Sequence, residues 1–153
     1  MEGDTIMKVK IKKLIEDAVI PTYATDGSAG MDITATSRSF DKDNNVVYGC
    51  GLAFEIPKGY VALLFPRSSN AKKDLLLSNA VGVLDSDYRG EVTFKFKRTK
   101  KGLFSWFKKE KLYECGDRIG QIIIVKHPTI QFVESEELSE TTRGKGGYGS
   151  TGR

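Results

Sequence analysis

The sequence has little of what metal centres, secretion and membrane insertion require. It contains one histidine and two cysteines, Cys50 and Cys115, which lie far apart without a C-x-x-C or zinc-ligand spacing. That scarcity argues against a protein-built transition-metal site and predicts two reduced thiols in a cytoplasmic protein. No apolar run is long enough to span a bilayer and no signal-peptide pattern opens the chain, so no membrane partner is expected.

The charge is distributed unevenly along the chain. The net charge of the 153 residues is +4, but residues 95–111 alone hold eight Lys or Arg and one Glu. The net charge of this segment is +7, which exceeds the +4 of the whole chain, so the remaining residues carry a net negative charge. Because the basic residues are confined to one segment, a simple basic nucleic-acid-binding barrel is a weak alternative, and nucleic acid is not the expected partner.

Short alternating apolar runs predict a single all-β domain. Met7–Lys13 alternates apolar residues with lysines, which indicates a strand with one solvated face. Further short runs, separated by Gly, Pro, Asn or Asp, are typical of a β-barrel or sandwich. A helical turn is expected around Ser69–Asp74. The other predicted strands are Val46–Tyr48, Leu52–Ile56, Tyr60–Phe65, Ala80–Leu84, Glu91–Lys97, Lys111–Glu114 and Ile119–Lys126.

Residues 139–153 are too rich in glycine to pack a core. An idle tail is one interpretation. However, an arginine, an aromatic ring and a Ser-Thr pair stand among the glycines, and exposed amides with hydroxyls and a guanidinium can cradle a polyphosphate. We therefore predict a β-barrel domain over residues 1–138 and a flexible, ligand-ordered arm over residues 139–153.

Five segments resemble, in order, the motifs of the trimeric dUTPase family. They are Ala29–Ile33, Pro66–Ser69, Gly82–Gly90, Gly116–Gln121 and Arg143–Gly152. The resemblance implies a distorted jelly-roll β-barrel and a homotrimer that exchanges C-terminal arms. It also implies Mg²⁺-dependent hydrolysis of dUTP to dUMP and pyrophosphate. That reaction limits uracil incorporation into DNA and supplies dUMP for dTMP synthesis.

The resemblance assigns the catalytic and base-reading residues to the third segment. Asp85 is the expected general base, since a carboxylate can hold a water and accept its proton as it attacks the α-phosphorus. The Tyr88 ring is expected to pack on the deoxyribose and to exclude a 2′-hydroxyl. The uracil pocket is expected at an amide side chain and a tight hairpin, which read the base edge. Its residues are Asn79, Gly82, Val83 and Leu84.

The remaining assignments concern the triphosphate. Arg67, Ser68 and the amide of Ser69 resemble phosphate ligands at the head of a short helix, where the dipole favours anions. Gln121 is similar to the family glutamine on the α-phosphate. Asp32 is the expected indirect anchor for Mg²⁺, through water. In the arm, Arg143 is expected at the γ-phosphate and Tyr148 over the uracil, while the terminal phosphates meet Gly149, Ser150 and Thr151.

Several positions depart from the family pattern. Ser69-Asn70 stands where Gly-Leu is usual, Gly120 where Ala is usual, and Tyr148 where Phe is commoner. Residues 99–111 form an expanded loop that holds the only tryptophan, Trp106. Its aromatics can pack on the barrel, bind a protein partner, or contact nucleic acid or membrane.

Two other functions remain open at this stage. A dCTP deaminase of the same fold shares an Arg-Ser-Ser segment, but no carboxylate is evident to activate water at the base. A dUTP-binding regulator that acts through a protein partner would be expected to lose Asp85 or the arm, and the sequence keeps both.

Overall fold

The computed structural model describes residues 6–99 and 110–147, which form ten strands and one short 3₁₀ helix, Ser68–Lys72. The strands are β1 Lys10–Lys13, β2 Met31–Thr34, β3 Ser37–Phe40, β4 Val46–Gly49, β5 Leu52–Glu55, β6 Tyr60–Pro66, β7 Leu75–Leu77, β8 Gly82–Leu84, β9 Thr93–Arg98 and β10 Arg118–Lys126.

Two four-stranded antiparallel sheets form the body of the fold. One has the order β2-β10-β6-β8, the other the order β3-β4-β9-β7, and β1 pairs with β5 in a separate ribbon. Strand β9 alternates buried and accessible residues, as does the middle of β6, so each sheet has an apolar face turned to the core. The all-β jelly-roll prediction is confirmed.

Aromatic side chains fill the middle of the core. Tyr48, Phe94, Phe96 and Tyr113 are almost fully buried, and their ring centroids lie 5.9–6.3 Å apart. Such edge and offset contacts add to the burial of large apolar area. Both cysteines are free; Cys50 is buried and Cys115 is exposed. No helix among the described residues is long and apolar enough to cross a membrane.

One predicted strand is wrong. Lys111–Glu114 alternates like a strand, but side chains rather than a neighbouring strand satisfy its amides. Lys111 N donates to Asp74 Oδ2 at 2.7 Å, and Tyr113 N donates to Tyr48 Oη at 3.1 Å. The segment is therefore held without joining a sheet.

Candidate active site

Asp32 is the centre of a charged cluster at one end of the four-stranded sheet that contains β6. Arg67 Nε donates to Asp32 Oδ1 at 2.7 Å, and Arg118 donates to Oδ2 at 3.0 Å. Gln121 Nε2 lies 3.3 Å from Oδ1. The Asp32 side chain is only 13% exposed and that of Arg67 23%, so this ion pair is poorly screened by water, whereas the Arg118 side chain is 56% exposed. The carboxylate therefore restrains Arg67 more strongly than Arg118.

Strand register explains why these residues meet. Gln121 on β10 pairs with Asp32 on β2 and with Phe65 on β6. Directly paired residues share a face of a sheet, and Arg67 follows Phe65 by two positions, so it points to the same face. A bulge between Arg118 and Gly120 turns Arg118 to that face as well. The assigned role of Arg67 gains a geometric basis, while Arg118 was missed because the bulge breaks the simple alternation.

Cations dominate the surface beside this cluster. An open cavity of about 290 Å³ is bordered by Arg67, Lys73 and Arg118, with Asp117 as its one carboxylate and Ser69 among its hydroxyls. Guanidinium and ammonium groups with hydroxyls suit phosphate oxygens. The five-residue 3₁₀ helix is too short to contribute much dipole, so the attraction for an anion comes chiefly from these side chains. Ser68 is exposed at the first position of that helix.

A second group of predicted residues follows β8. Leu84 pairs with Ala62 near the start of β6, and Asp85 comes next, exposed at the edge of a cleft of about 930 Å³. Tyr88 N donates to Asp85 O at 3.2 Å, which closes a turn. Tyr88 Oη donates to Glu91 O at 3.0 Å, so the half-exposed ring has a fixed position.

The predicted uracil-pocket residues adjoin this turn. Val83 points outward from β8 between the buried Gly82 and Leu84, and it borders a small cavity together with Asp85 and Tyr88. The sequence predicts a tight hairpin at these residues, but β8 does not pair with the strand before it, since β7 and β8 belong to different sheets. Asn79 lies exposed in the connecting turn.

The two groups of predicted residues do not meet within one chain. Asp85 lies level with the start of β6 and Arg67 follows its end, so roughly 15–20 Å of strand separates them at about 3.3 Å per residue. Arg143 is exposed, and its Nε donates to Gly146 O at 3.0 Å. Two predicted regions lie outside the described residues: residues 100–109 of the loop, and the arm residues Tyr148, Gly149, Ser150 and Thr151.

Direct binding of a metal at Asp32 does not fit the observed contacts. Both of its oxygens accept hydrogen bonds from Arg67, Arg118 and Gln121. No cluster of three or more His, Cys, Asp or Glu suitable for a metal occurs within residues 6–99 and 110–147. The arrangement is compatible with a cation held mainly by phosphate oxygens, with water between it and Asp32.

An antiparallel jelly roll with a cationic cluster at one end of β6 and an exposed carboxylate turn near the other defines a candidate phosphate-ester-binding protein. A model of the dUTPase family matches residues 16–152. The chain therefore belongs to the dUTPase family and is a dUTP-hydrolysing enzyme.

Relatives and solved structures agree with this assignment. The deoxyuridine 5'-triphosphate nucleotidohydrolase of a Hydrogenobaculum species is 41% identical over 152 residues, covering 95% of this chain and 99% of that protein. The enzyme of the same name from Nautilia profundicola is 41% identical over 149 residues, covering 96% and 100%. A Staphylococcus bacteriophage 80alpha dUTPase variant with dUpNHpp superposes with a TM-score of 0.80 at 27% identity, covering 95% and 99%.

Proposed function

We propose that the chain hydrolyses dUTP to dUMP and pyrophosphate at a site that two or more copies complete. The observation that carries this proposal is the separation of Asp85 from Arg67 along β6. A base must lie within hydrogen-bond reach of the water that it activates. One chain alone cannot hold phosphates at Arg67 and present Asp85 to the α-phosphorus, so a neighbouring copy supplies one of the two.

The reaction is an in-line displacement at the α-phosphorus. A water oxygen attacks that phosphorus, its proton passes to Asp85, and the bond to the bridging oxygen breaks. Pyrophosphate leaves with the electron pair of that bond, and dUMP keeps the new oxygen. Asp85 is exposed in the single chain and so is available to such a water.

The Asp32 cluster binds the triphosphate. Arg67 and Gln121 share one face with Asp32, so their positions are fixed before substrate arrives. Ser68 and the amide of Ser69 complete the contacts to phosphate. Mg²⁺, held by the phosphates and anchored to Asp32 through water, would neutralise charge on the triphosphate and orient the α-phosphate.

Selectivity for deoxyuridine comes from the turn after β8. The backbone of Gly82, Val83 and Leu84, together with Asn79, reads the uracil edge. Tyr88 closes the sugar site against a 2′-hydroxyl, and its bond to Glu91 O keeps the ring from moving aside.

Assembly is proposed to be a homotrimer with arm exchange. Beyond β10, large apolar side chains protrude from a strand-free segment, and Phe132 is 94% exposed. A monomer leaves this surface in water, and a neighbouring chain can cover it. The other exposed apolar residues of the segment are Ile130, Val133 and Leu138. Its continuation carries Arg143, Tyr148, Gly149, Ser150 and Thr151, which are proposed to close over a neighbour's bound nucleotide.

The wider role follows from the chemistry. Removing dUTP limits uracil incorporation into DNA, and the product dUMP feeds dTMP synthesis. A cytoplasmic location and a protein partner at residues 99–111 remain proposals. A related phage 80alpha dUTPase, 26% identical to this chain, belongs to a group of phage dUTPases that control the transfer of virulence genes.

The decisive experiment measures pyrophosphate release from dUTP, UTP, dTTP and dCTP with Mg²⁺, comparing the unaltered chain with Asp85→Asn. We expect turnover of dUTP alone, and a drop in kcat of roughly 10²–10⁴-fold in the variant, the usual contribution of a general base. A folded chain that binds dUTP without releasing pyrophosphate would support the regulator instead. Ammonia release from dCTP would support the deaminase.

A further inference from the structure

The turn that follows β6 carries two polar residues where the family usually has glycine and leucine, and both make specific contacts. Asn70 Nδ2 donates to Leu75 O at 3.0 Å, and Asn70 Oδ1 accepts from Tyr113 Oη at 3.3 Å. Ser69 Oγ lies 3.4 Å from a terminal guanidinium nitrogen of Arg67. The turn is thus linked at one side to Arg67 and at the other to Tyr113.

Tyr113 is an unusually rigid support for such a turn. Its side chain is buried, and its backbone amide and carbonyl both bond to Tyr48 Oη, at 3.1 and 3.0 Å. Arg38 donates to the same carbonyl at 2.9 Å. Lys73 lies over the ring, with Nζ 4.5 Å from the centroid. The phenol therefore moves only if the aromatic core moves.

The hydroxyl of Tyr113 is in the right state to hold the turn. Burial raises the pKa of Tyr113, while hydrogen bonding to Ser69 and the charge of Arg67 lower it. The phenol remains protonated at neutral pH and donates to Asn70. Because Ser69 precedes Asn70 in the turn and its hydroxyl contacts Arg67, the turn connects the core to the phosphate-binding guanidinium.

We infer that Tyr113 is a positioning residue for the substrate's phosphates. Its hydroxyl holds Asn70, and thereby the Arg67–Ser69 turn, in the geometry that receives the triphosphate. The role rests on the proposed function, because it concerns the same phosphate-binding turn. It also explains the polar pair at positions 69 and 70: a turn with Gly-Leu has no side-chain partner for a phenol at position 113.

The test is Tyr113→Phe, which keeps the ring in the core and removes only the hydroxyl. We expect KM for dUTP to rise roughly three- to tenfold, the range of one or two neutral hydrogen bonds, with kcat within about twofold. The dissociation constant of pyrophosphate, measured by calorimetry, should rise by the same factor. The inhibition constant of deoxyuridine, which has no phosphate, should not change.

Two further variants sharpen the result. Asn70→Leu should give the same weakening, and the double variant with Tyr113→Phe should add little, because both act through one hydrogen bond. Tyr23→Phe is the matched control: it removes an exposed phenol elsewhere and should leave all constants unchanged.

The outcomes separate this inference from the proposed function. If Tyr113→Phe lowers the melting temperature but leaves KM and pyrophosphate affinity at wild-type values, Tyr113 is only a core residue and the inference is wrong. If the unaltered chain binds pyrophosphate but does not hydrolyse dUTP, the proposed mechanism fails. The pyrophosphate affinities of the variants still decide the role of Tyr113.

Discussion

Strand β6 connects two regions that differ in how completely one chain builds them. At its end, Arg67 enters a network with Asp32, Arg118 and Gln121 in which both carboxylate oxygens are bonded. Near its start, Asp85 is exposed, and hydrogen bonds within the turn restrain its surroundings: Tyr88 bonds to Glu91 O, and Arg89 bonds to the carbonyls of Ser86 and Tyr88. The Arg67 end is preorganised by internal ion pairs, whereas the Asp85 end presents exposed groups whose targets we propose to lie in a neighbouring chain.

The largest effect is expected when the two ends of β6 are inactivated in separate chains and the chains are then mixed. Asp85→Asn and Arg67→Ala chains should each be nearly inactive alone. After joint unfolding and refolding, the mixture should regain roughly a quarter of wild-type pyrophosphate release, since each half of a shared site is intact in about half of random pairings.

The control for complementation mixes two chains that both lack the base, Asp85→Asn and Asp85→Ala. That mixture should remain inactive. Equal recovery in both mixtures, or no recovery in either, would contradict a site shared between chains.

A second prediction tests the preorganisation at the Arg67 end. Asp32→Asn leaves two guanidiniums close together without their carboxylate, so kcat/KM should fall roughly 10–100-fold. The free energy of unfolding should fall by about 1–3 kcal/mol, because the lost hydrogen bonds are charge-assisted and partly buried. Asp85→Asn should leave the unfolding free energy nearly unchanged. Denaturant titration of both variants checks the contrast, and equal stabilities would refute it.

A third prediction concerns a buried thiol that contacts the segment after the Asp85 turn. The Cys50 thiol donates a hydrogen bond to the carbonyl oxygen of Val92, the residue after Glu91, at 3.0 Å. Burial raises the pKa of Cys50 from 9.0 to about 11. The unfolded thiol therefore ionises before the native one, so stability is full below pH 9 and is lost as the pH rises to about 11. The expected loss is up to about 2–3 kcal/mol.

The measurement is the free energy of unfolding of wild type and Cys50→Ala at several pH values from 8 to 11. Tyrosines and lysines titrate in both proteins and cancel in the difference. The wild-type advantage should shrink across this range; a difference that is independent of pH would show that the thiol is not the responsible group.

The smallest effect is expected for residues 100–109, because none of the motif residues lies in this segment. Replacing residues 100–109 with a short Gly-Ser linker should change kcat/KM by less than about twofold. The base of the loop is closed independently, since Arg98 forms a bidentate pair with Glu110 and Lys111 bonds to Asp74. Loss of assembly on gel filtration, or loss of activity, would mean that the loop packs on the barrel.

The sequence predicts strands well where apolar residues alternate with polar ones, as in β1 and β9. It misses β3, Ser37–Phe40, because all four of its side chains are exposed and its pairing with β4 is fixed by the intervening turn. In that turn Asp41 accepts from the amides of Asp43 and Asn45. Exposed pairing of this kind leaves no apolar pattern for a sequence-based prediction to use.

The candidate site shows the same limit. The motifs identified Asp32, Arg67 and Gln121, which the structure brings together. They did not identify Arg118 as a partner of Asp32, because its direction depends on a bulge. Nor does any motif indicate that Asp85 stands at the other end of β6, since that placement follows from the pairing of β8 with β6. Long-range pairing is the information that local patterns lack.

Gly120 and Phe94 are coupled through packing. A methyl group at position 120 would lie 2.1 Å from a ring carbon of Phe94, so the phenylalanine occupies the space that the family's usual alanine needs. Alanine at position 120 would therefore force the ring or the strand to shift. The two positions thus accept substitution as a pair: a smaller side chain at position 94 would make room for a methyl group at position 120.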